Sequence, residues 1–135
     1  MYIIEELYSG HAATVFVLKQ SGNEILFLES LKRKHPLAYK RLLSMIKNTC
    51  EYGLIKDGTK YKPLSKIIHE FKPEGIRVLS FKLPNKNREI EIILTEYFKK
   101  PAGKKQYLPY IERAEKIAAE VLKDYNAGTL IIRKG

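Results

Sequence analysis

Three extended runs that follow one another with almost nothing between them constrain this chain more than any other feature. Residues 66–72 end at Pro73-Glu74-Gly75, residues 76–83 end at Pro84-Asn85-Lys86-Asn87, and residues 88–98 follow at once. Pro, Gly and Asn supply the backbone angles of a reversal, and apolar runs bounded by such clusters read as strands. Short connections make neighbouring runs pair side by side, which predicts a small antiparallel meander.

The flanks read as helical. Pro36 suits the first turn of a helix whose stripe is Tyr39, Leu42, Leu43, Ile46 and Cys50, with Gly53 as its stop. A longer helix begins near Leu108-Pro109, carries Ile111, Ala114, Ala118, Val121 and Tyr125 at 3–4 spacing, and stops at Gly128. Before them, residues 12–18 suit a strand closed by Ser21-Gly22-Asn23. Asn23 can cap a short helix reaching Leu31, although residues 24–28 also read as strand. Residues 53–64 read as a loop carrying Lys56, Lys60 and Lys62, and residues 129–133 as one last short strand. Clustered strands with segregated helices predict an α+β fold: a meander packed by two N-terminal helices and one C-terminal helix, on one face of the sheet. A chain of 135 residues fits one domain spanning 1–135, with 1–10 and 129–135 as extensions to its core.

Charge narrows the function. Lys and Arg number 25 against 15 Asp and Glu, a net +10. That surplus favours a polyanionic partner, nucleic acid before an anionic membrane surface, with a merely soluble basic protein as the bland alternative. Cys50 is the only cysteine, so no intramolecular disulfide forms, and an intracellular, cytoplasmic home is expected. Its place on an apolar stripe suits an inert buried thiol. His11, His35 and His69 share no metal-ligand spacing, so neither a metal site nor a cofactor is expected. The start, Met1-Tyr2-Ile3-Ile4-Glu5-Glu6, is acidic rather than basic, unlike a signal peptide. No apolar run approaches the roughly 20 residues that cross a bilayer.

Alternation along strands locates candidate site residues. Arg77 shares a face with Leu79, Phe81 and Leu83, so its guanidinium must reach a rim, facing either a cleft or a carboxylate such as Glu70, Glu89 or Glu91. Glu70 and Lys72 project together from one end of the first run, with His69 on the opposite face. Lys99, Lys100, Lys104 and Lys105 lie within seven residues, flanked by Tyr97, Phe98 and Tyr107. Cations interleaved with aromatics are what gripping phosphates and stacking bases would need. Lys32-Arg33-Lys34, with Lys40 and Arg41, reads instead as a solvated helix face.

From Asn23 to Tyr125 the sequence resembles the RelE/ParE toxin superfamily, most closely its HigB-like and phage-derived branch. Three stretches carry the likeness. Tyr61-Lys62-Pro63-Leu64 leading into Ile68-His69-Glu70-Phe71-Lys72 is similar to the family's lysine-x-leucine loop and the strand after it. Ile76-Arg77-Val78-Leu79-Ser80-Phe81 resembles the strand whose arginine recurs most in family active sites. Ile92-Ile93-Leu94-Thr95-Glu96-Tyr97-Phe98-Lys99-Lys100-Pro101 resembles the third strand and its double-lysine exit.

The resemblance implies a toxin that cleaves mRNA, commonly on the ribosome, and is silenced by an antitoxin protein. Such cleavage runs without a metal when the 2′-hydroxyl attacks its own phosphate, given a base, cations for the phosphorane and a proton for the leaving oxygen. Arg77 would stabilise the phosphorane, Glu70 would act as base or orient Arg77, and Tyr107 would stack on a base or give the proton. Lys72, Lys99 and Lys100 would hold flanking phosphates, with Lys62, Lys104 and Lys105 near them. Two positions depart from the family: Lys72 stands where many members have arginine, and Thr95 where relatives often carry histidine. Two other readings use the same fold: a gyrase inhibitor of the ParE kind, and a non-catalytic nucleic-acid-binding or phage-derived protein.

Overall fold

The structure, a computed structural model, describes residues 2–20, 27–53, 61–84 and 90–135. The Asn23 cap, the loop lysines Lys56 and Lys60, and the turn at 85–87 with Arg88 lie outside these described residues. The class is α+β. The sheet, however, has seven strands and is mixed, in place of a small antiparallel meander. Its strands are β1 (Tyr2–Ser9), β2 (Ala13–Gln20), β3 (Tyr61–Pro63), β4 (His69–Phe71), β5 (Ile76–Leu83), β6 (Ile90–Lys99) and β7 (Ile131–Arg133), in the order β3-β4-β5-β6-β2-β1-β7. Helices α1 (Phe27–Lys34), α2 (Pro36–Tyr52) and α3 (Leu108–Ala127) complete the fold.

Four antiparallel pairings run β1–β2, β3–β4, β4–β5 and β5–β6, whereas β2 lies parallel to β6 with Val15 opposite Ile92. That parallel pairing joins segments more than seventy residues apart (by the difference of those two numbers) and turns the local meander into one continuous sheet. At the N-terminal end β1 pairs along β2, and Ile4 is fully buried. The short β7 pairs parallel to β1 through Ile131, Ile132 and Arg133. Lys62, expected in a loop, sits on β3, a three-residue edge strand where Pro63 costs little because an edge leaves its missing donor unneeded.

Helices cover both faces of the sheet, not one. Alternation explains how: in β2, Ala13, Val15 and Val17 pack toward Leu31 of α1 and Leu42 and Ile46 of α2, while Phe16 and Leu18 pack toward Ala114, Ala118 and Val121 of α3. Central strands are therefore apolar on both sides. Ala114 and Ala118, two of the α3 residues that face the sheet, are small and fully buried. Pro109 sits in the first turn of α3, where its missing N–H is no loss, and Gly128 ends it in a left-handed conformation at φ +75°. Gly10, at the β1–β2 turn, is fixed by contact: a Cβ there would lie 2.5 Å from the Cys50 carbonyl oxygen.

One irregularity positions the site. The β5–β6 register slips between Leu79 and Ser80, leaving Thr95 as an extra residue whose hydroxyl donates to the Leu79 carbonyl at 3.2 Å. An extra residue inverts the facing of everything beyond it. Tyr97 consequently turns toward α1, where its hydroxyl hydrogen-bonds with Ser30 at 2.6 Å, and Phe98 turns toward α3. Among the described residues, no helix is long and apolar enough to cross a membrane.

Candidate nucleic-acid interface

A cleft of about 510 Å³ opens on the α3 side, at the end of the sheet where β3, β4 and β5 meet the start of α3. Register builds its floor. Lys62 of β3 lies opposite Glu70 of β4, Glu70 opposite Leu79 of β5, and Arg77 opposite Phe98 of β6. Cross-strand partners share a face, so Lys62, Glu70, Arg77 and Phe98 all look toward α3. Lys72, two residues past Glu70, and Lys100, two past Phe98, continue that facing into the cleft.

At its centre lie two buried charges. Glu70 is 2% exposed and Arg77 8%, and their nearest charged atoms, Oε2 and Nε, are 3.9 Å apart. That distance is an ion pair but too long for a hydrogen bond. Neither atom has a hydrogen-bond partner among the described residues. Arg77 Nη1 donates to the Ile76 carbonyl at 2.9 Å and reaches the Glu74 carbonyl at 3.5 Å, which anchors the guanidinium from behind. Buried polar atoms are nearly always satisfied, so an under-bonded pair in the floor of a cleft is unusual, and the two unpaired atoms lie beneath its surface.

The electrostatics oppose one another at Glu70. Burial pushes its carboxyl above the usual range, while Arg77, then Lys72, Lys62 and Lys100, pull it back. A carboxyl raised by burial holds its proton more readily than an exposed glutamate, and the cations around it work against that rise. The α3 wall is aromatic and aliphatic. Phe98 stacks on Tyr110 with ring centroids 4.0 Å apart and meets Tyr107 edge-on at 5.7 Å. Tyr107, Leu64, Leu108 and Ile111 complete the lining.

Of the residues singled out from sequence, Lys62, Glu70, Lys72, Arg77, Lys100 and Tyr107 therefore converge. Lys99 does not. It alternates to the other face of the sheet and lines a separate groove of about 480 Å³ with His35, Pro36 and Leu37, which Lys100 also borders. Lys105 is exposed and absent from the cleft lining, and the Lys104 side chain lies outside the described residues. His69 faces away from Glu70, and burial, then Lys82, hold its imidazole below the usual range. Thr95 is spent on the bulge. Sequence reasoning missed the apolar wall: Ile111 was assigned to the core stripe of its helix, and the one available signal was a leucine at 108, just ahead of a proline, where a helix start is usually polar.

No protein-family model matches the chain, and no curated protein matches it significantly.

Proposed function

We propose that this protein is the toxin of a toxin–antitoxin pair, with a RelE-like fold extended by β1, β2 and β7, and that it cleaves mRNA in the basic cleft. One observation carries the reading: a buried, under-bonded Glu70–Arg77 pair sits among Lys62, Lys72 and Lys100. Cations converging on one hollow suit a backbone phosphate, and only a guanidinium offers a fork matched to two phosphate oxygens. In this scheme Glu70 takes the proton from the 2′-hydroxyl, whose oxygen attacks the adjacent phosphorus. Arg77 and the three lysines stabilise the extra negative charge of the phosphorane. The P–O5′ bond breaks, Tyr107 gives its proton to the leaving oxygen, and a 2′,3′-cyclic phosphate and a 5′-hydroxyl result. An antitoxin would silence the protein by covering the cleft.

The test is direct. Purified wild type and Arg77→Ala are incubated with mRNA, with and without ribosomes, and ends are mapped by primer extension. Wild type should leave cyclic-phosphate ends that the variant does not. Intact RNA under both conditions would remove the nuclease reading.

A second reading has its own support in the anchoring of Arg77 Nη1 on the Ile76 carbonyl, which keeps part of the fork turned from the cleft. On that reading the cleft holds RNA without cutting it, and the same assay separates the two when run beside a binding measurement.

A further inference from the structure

The two helical layers have the same architectural task, covering one face of one sheet each, but they carry opposite charge. Helices α1 and α2 hold six cations, Lys32, Arg33, Lys34, Lys40, Arg41 and Lys47, against Glu29 and Glu51. Helix α3 holds three cations against four carboxylates. Solubility alone would mix both signs on each surface, so segregation of this kind needs a cause.

All six cations of the α1–α2 layer are exposed. Only Arg41 makes an ion pair among the described residues, with Glu74 at 3.0 Å, which ties α2 to the β4–β5 turn. Lys32 lies over the Tyr39 ring, 5.8 Å from its centroid. Lys40 and Lys47 are two helical turns apart on one side of α2, with exposed Ser44 between them. Around the end of the sheet the basic surface continues into the groove lined by Lys99 and Lys100, and Lys100 also lines the cleft on the other face.

We infer that the α1–α2 face is a second phosphate-binding surface, which grips the backbone of a folded RNA while a single strand from it passes Lys100 into the cleft. The second half of that statement rests on the RNA reading of the cleft; the first does not. A membrane surface fits less well, because the exposed apolar side chains of this layer, Leu37 and Tyr52, stand at opposite ends of α2 rather than forming a stripe among the cations, and Ser44 and Asn48 lie between them. A backbone binder needs only exposed cations and hydrogen-bonding neighbours.

The experiment measures affinity against salt for two probes, an RNA hairpin with a single-stranded tail and the tail alone, both 2′-O-methylated so that neither is cut. Wild type is compared with a variant carrying Lys32→Gln, Arg33→Gln, Lys34→Gln, Lys40→Gln and Lys47→Gln, and with Lys116→Gln/Lys123→Gln on α3. The five-site variant should bind the hairpin about tenfold or more weakly near physiological salt, with its log–log salt slope reduced by about three to four, and should bind the tail as wild type does. The α3 variant should match wild type on both. Hairpin binding with that charge dependence but no tail binding would support this surface and remove the cleft reading. An unchanged hairpin slope in the five-site variant overturns the inference, as does an equal loss in the α3 variant. Loss of binding to phosphatidylserine vesicles alone, with hairpin binding intact, would overturn it in favour of a membrane.

Discussion

Glu70 and Glu96 make a controlled pair. Both are cross-strand partners of Leu79, one on each side of β5, so they occupy the same row of the same face. Burial raises the carboxyl of each, and each faces an arginine. In each, the oxygen nearest the arginine is buried without a hydrogen bond among the described residues, and there the likeness ends. Glu96 is met by Arg113 of α3 at 3.4 Å, and that arginine is 54% exposed, a single pair bridging helix and sheet at the surface. Glu70 is met by a buried arginine at 3.9 Å with Lys62, Lys72 and Lys100 around both. One carboxylate faces a single arginine; the other lies among an arginine and three lysines. Burial, a salt bridge and a missing hydrogen bond are thus common to both positions, and what sets the candidate site apart is the number of cations gathered at one carboxylate.

Removing each arginine breaks the comparison most sharply. Arg77→Ala should lower RNA cleavage about 100- to 1,000-fold, the usual effect of losing one donor to a transition-state oxyanion. Arg113→Ala should leave the rate within about twofold, since the side chain lies outside the cleft lining. A comparable loss in both would mean that fold integrity, not phosphate contact, is being read. Thermal or urea unfolding of the same variants supplies the check. Stranding one partner of a buried pair costs about 3–5 kcal/mol, and Glu70 can relieve the strain by taking up a proton, so about 3 kcal/mol is expected for Arg77→Ala. Arg113→Ala should cost under about 1 kcal/mol, as exposed pairs do.

Much of this contrast could be read from sequence, and the unread part has definite causes. Alternation alone put Arg77 with Leu79, Phe81 and Leu83, and Glu70 with Lys72 but not His69, because strand facing is a local property with period 2. Pro36, Gly53 and Gly128 marked helix ends through backbone chemistry that acts within a few residues. Partner choice between distant strands is not local. Nothing in residues 13–20 names β6 as their neighbour, so the mixed sheet and the two covered faces escaped the meander reading. The bulge at Thr95 is equally silent, since an extra residue leaves the apolar pattern almost intact while reversing the faces that unbroken alternation would give Tyr97 and Phe98. Lys99 and Lys100 were grouped because they are adjacent, but only Lys100, just past the end of β6, reaches the cleft as well as the groove that both line.

Proton linkage sharpens the comparison next. For a carboxyl raised in the folded state, the unfolded chain loses its proton first as pH rises. Between the ordinary glutamate value of 4.5 and the higher folded value, the folded state therefore binds more protons, and stability falls with rising pH. Glu70→Gln and Glu96→Gln should each flatten that decline, seen as a weaker pH dependence of the urea midpoint above pH about 4.5. Only Glu70→Gln should also change the pH profile of cleavage. A cleavage profile altered by Glu96→Gln and untouched by Glu70→Gln would reverse the roles assigned to the two carboxylates.

The smallest effect tests whether the excess charge around Glu70 meets phosphates at all. Each lysine that neutralises one phosphate contributes a unit or slightly less to the salt slope of RNA binding, because its contact releases a counterion. Lys72→Ala and Lys100→Ala should each reduce the slope for a short single-stranded RNA by about one, and Lys62→Ala by about the same. Lys99→Ala should leave it unchanged, although Lys99 is adjacent to Lys100 and carries the same charge, because its side chain opens onto the opposite face. A simple fall in net charge would make all four variants alike. Only a bound strand lying in the α3-side cleft separates Lys99 from the rest, so equal slopes across the set would count against the cleft as the place where RNA sits.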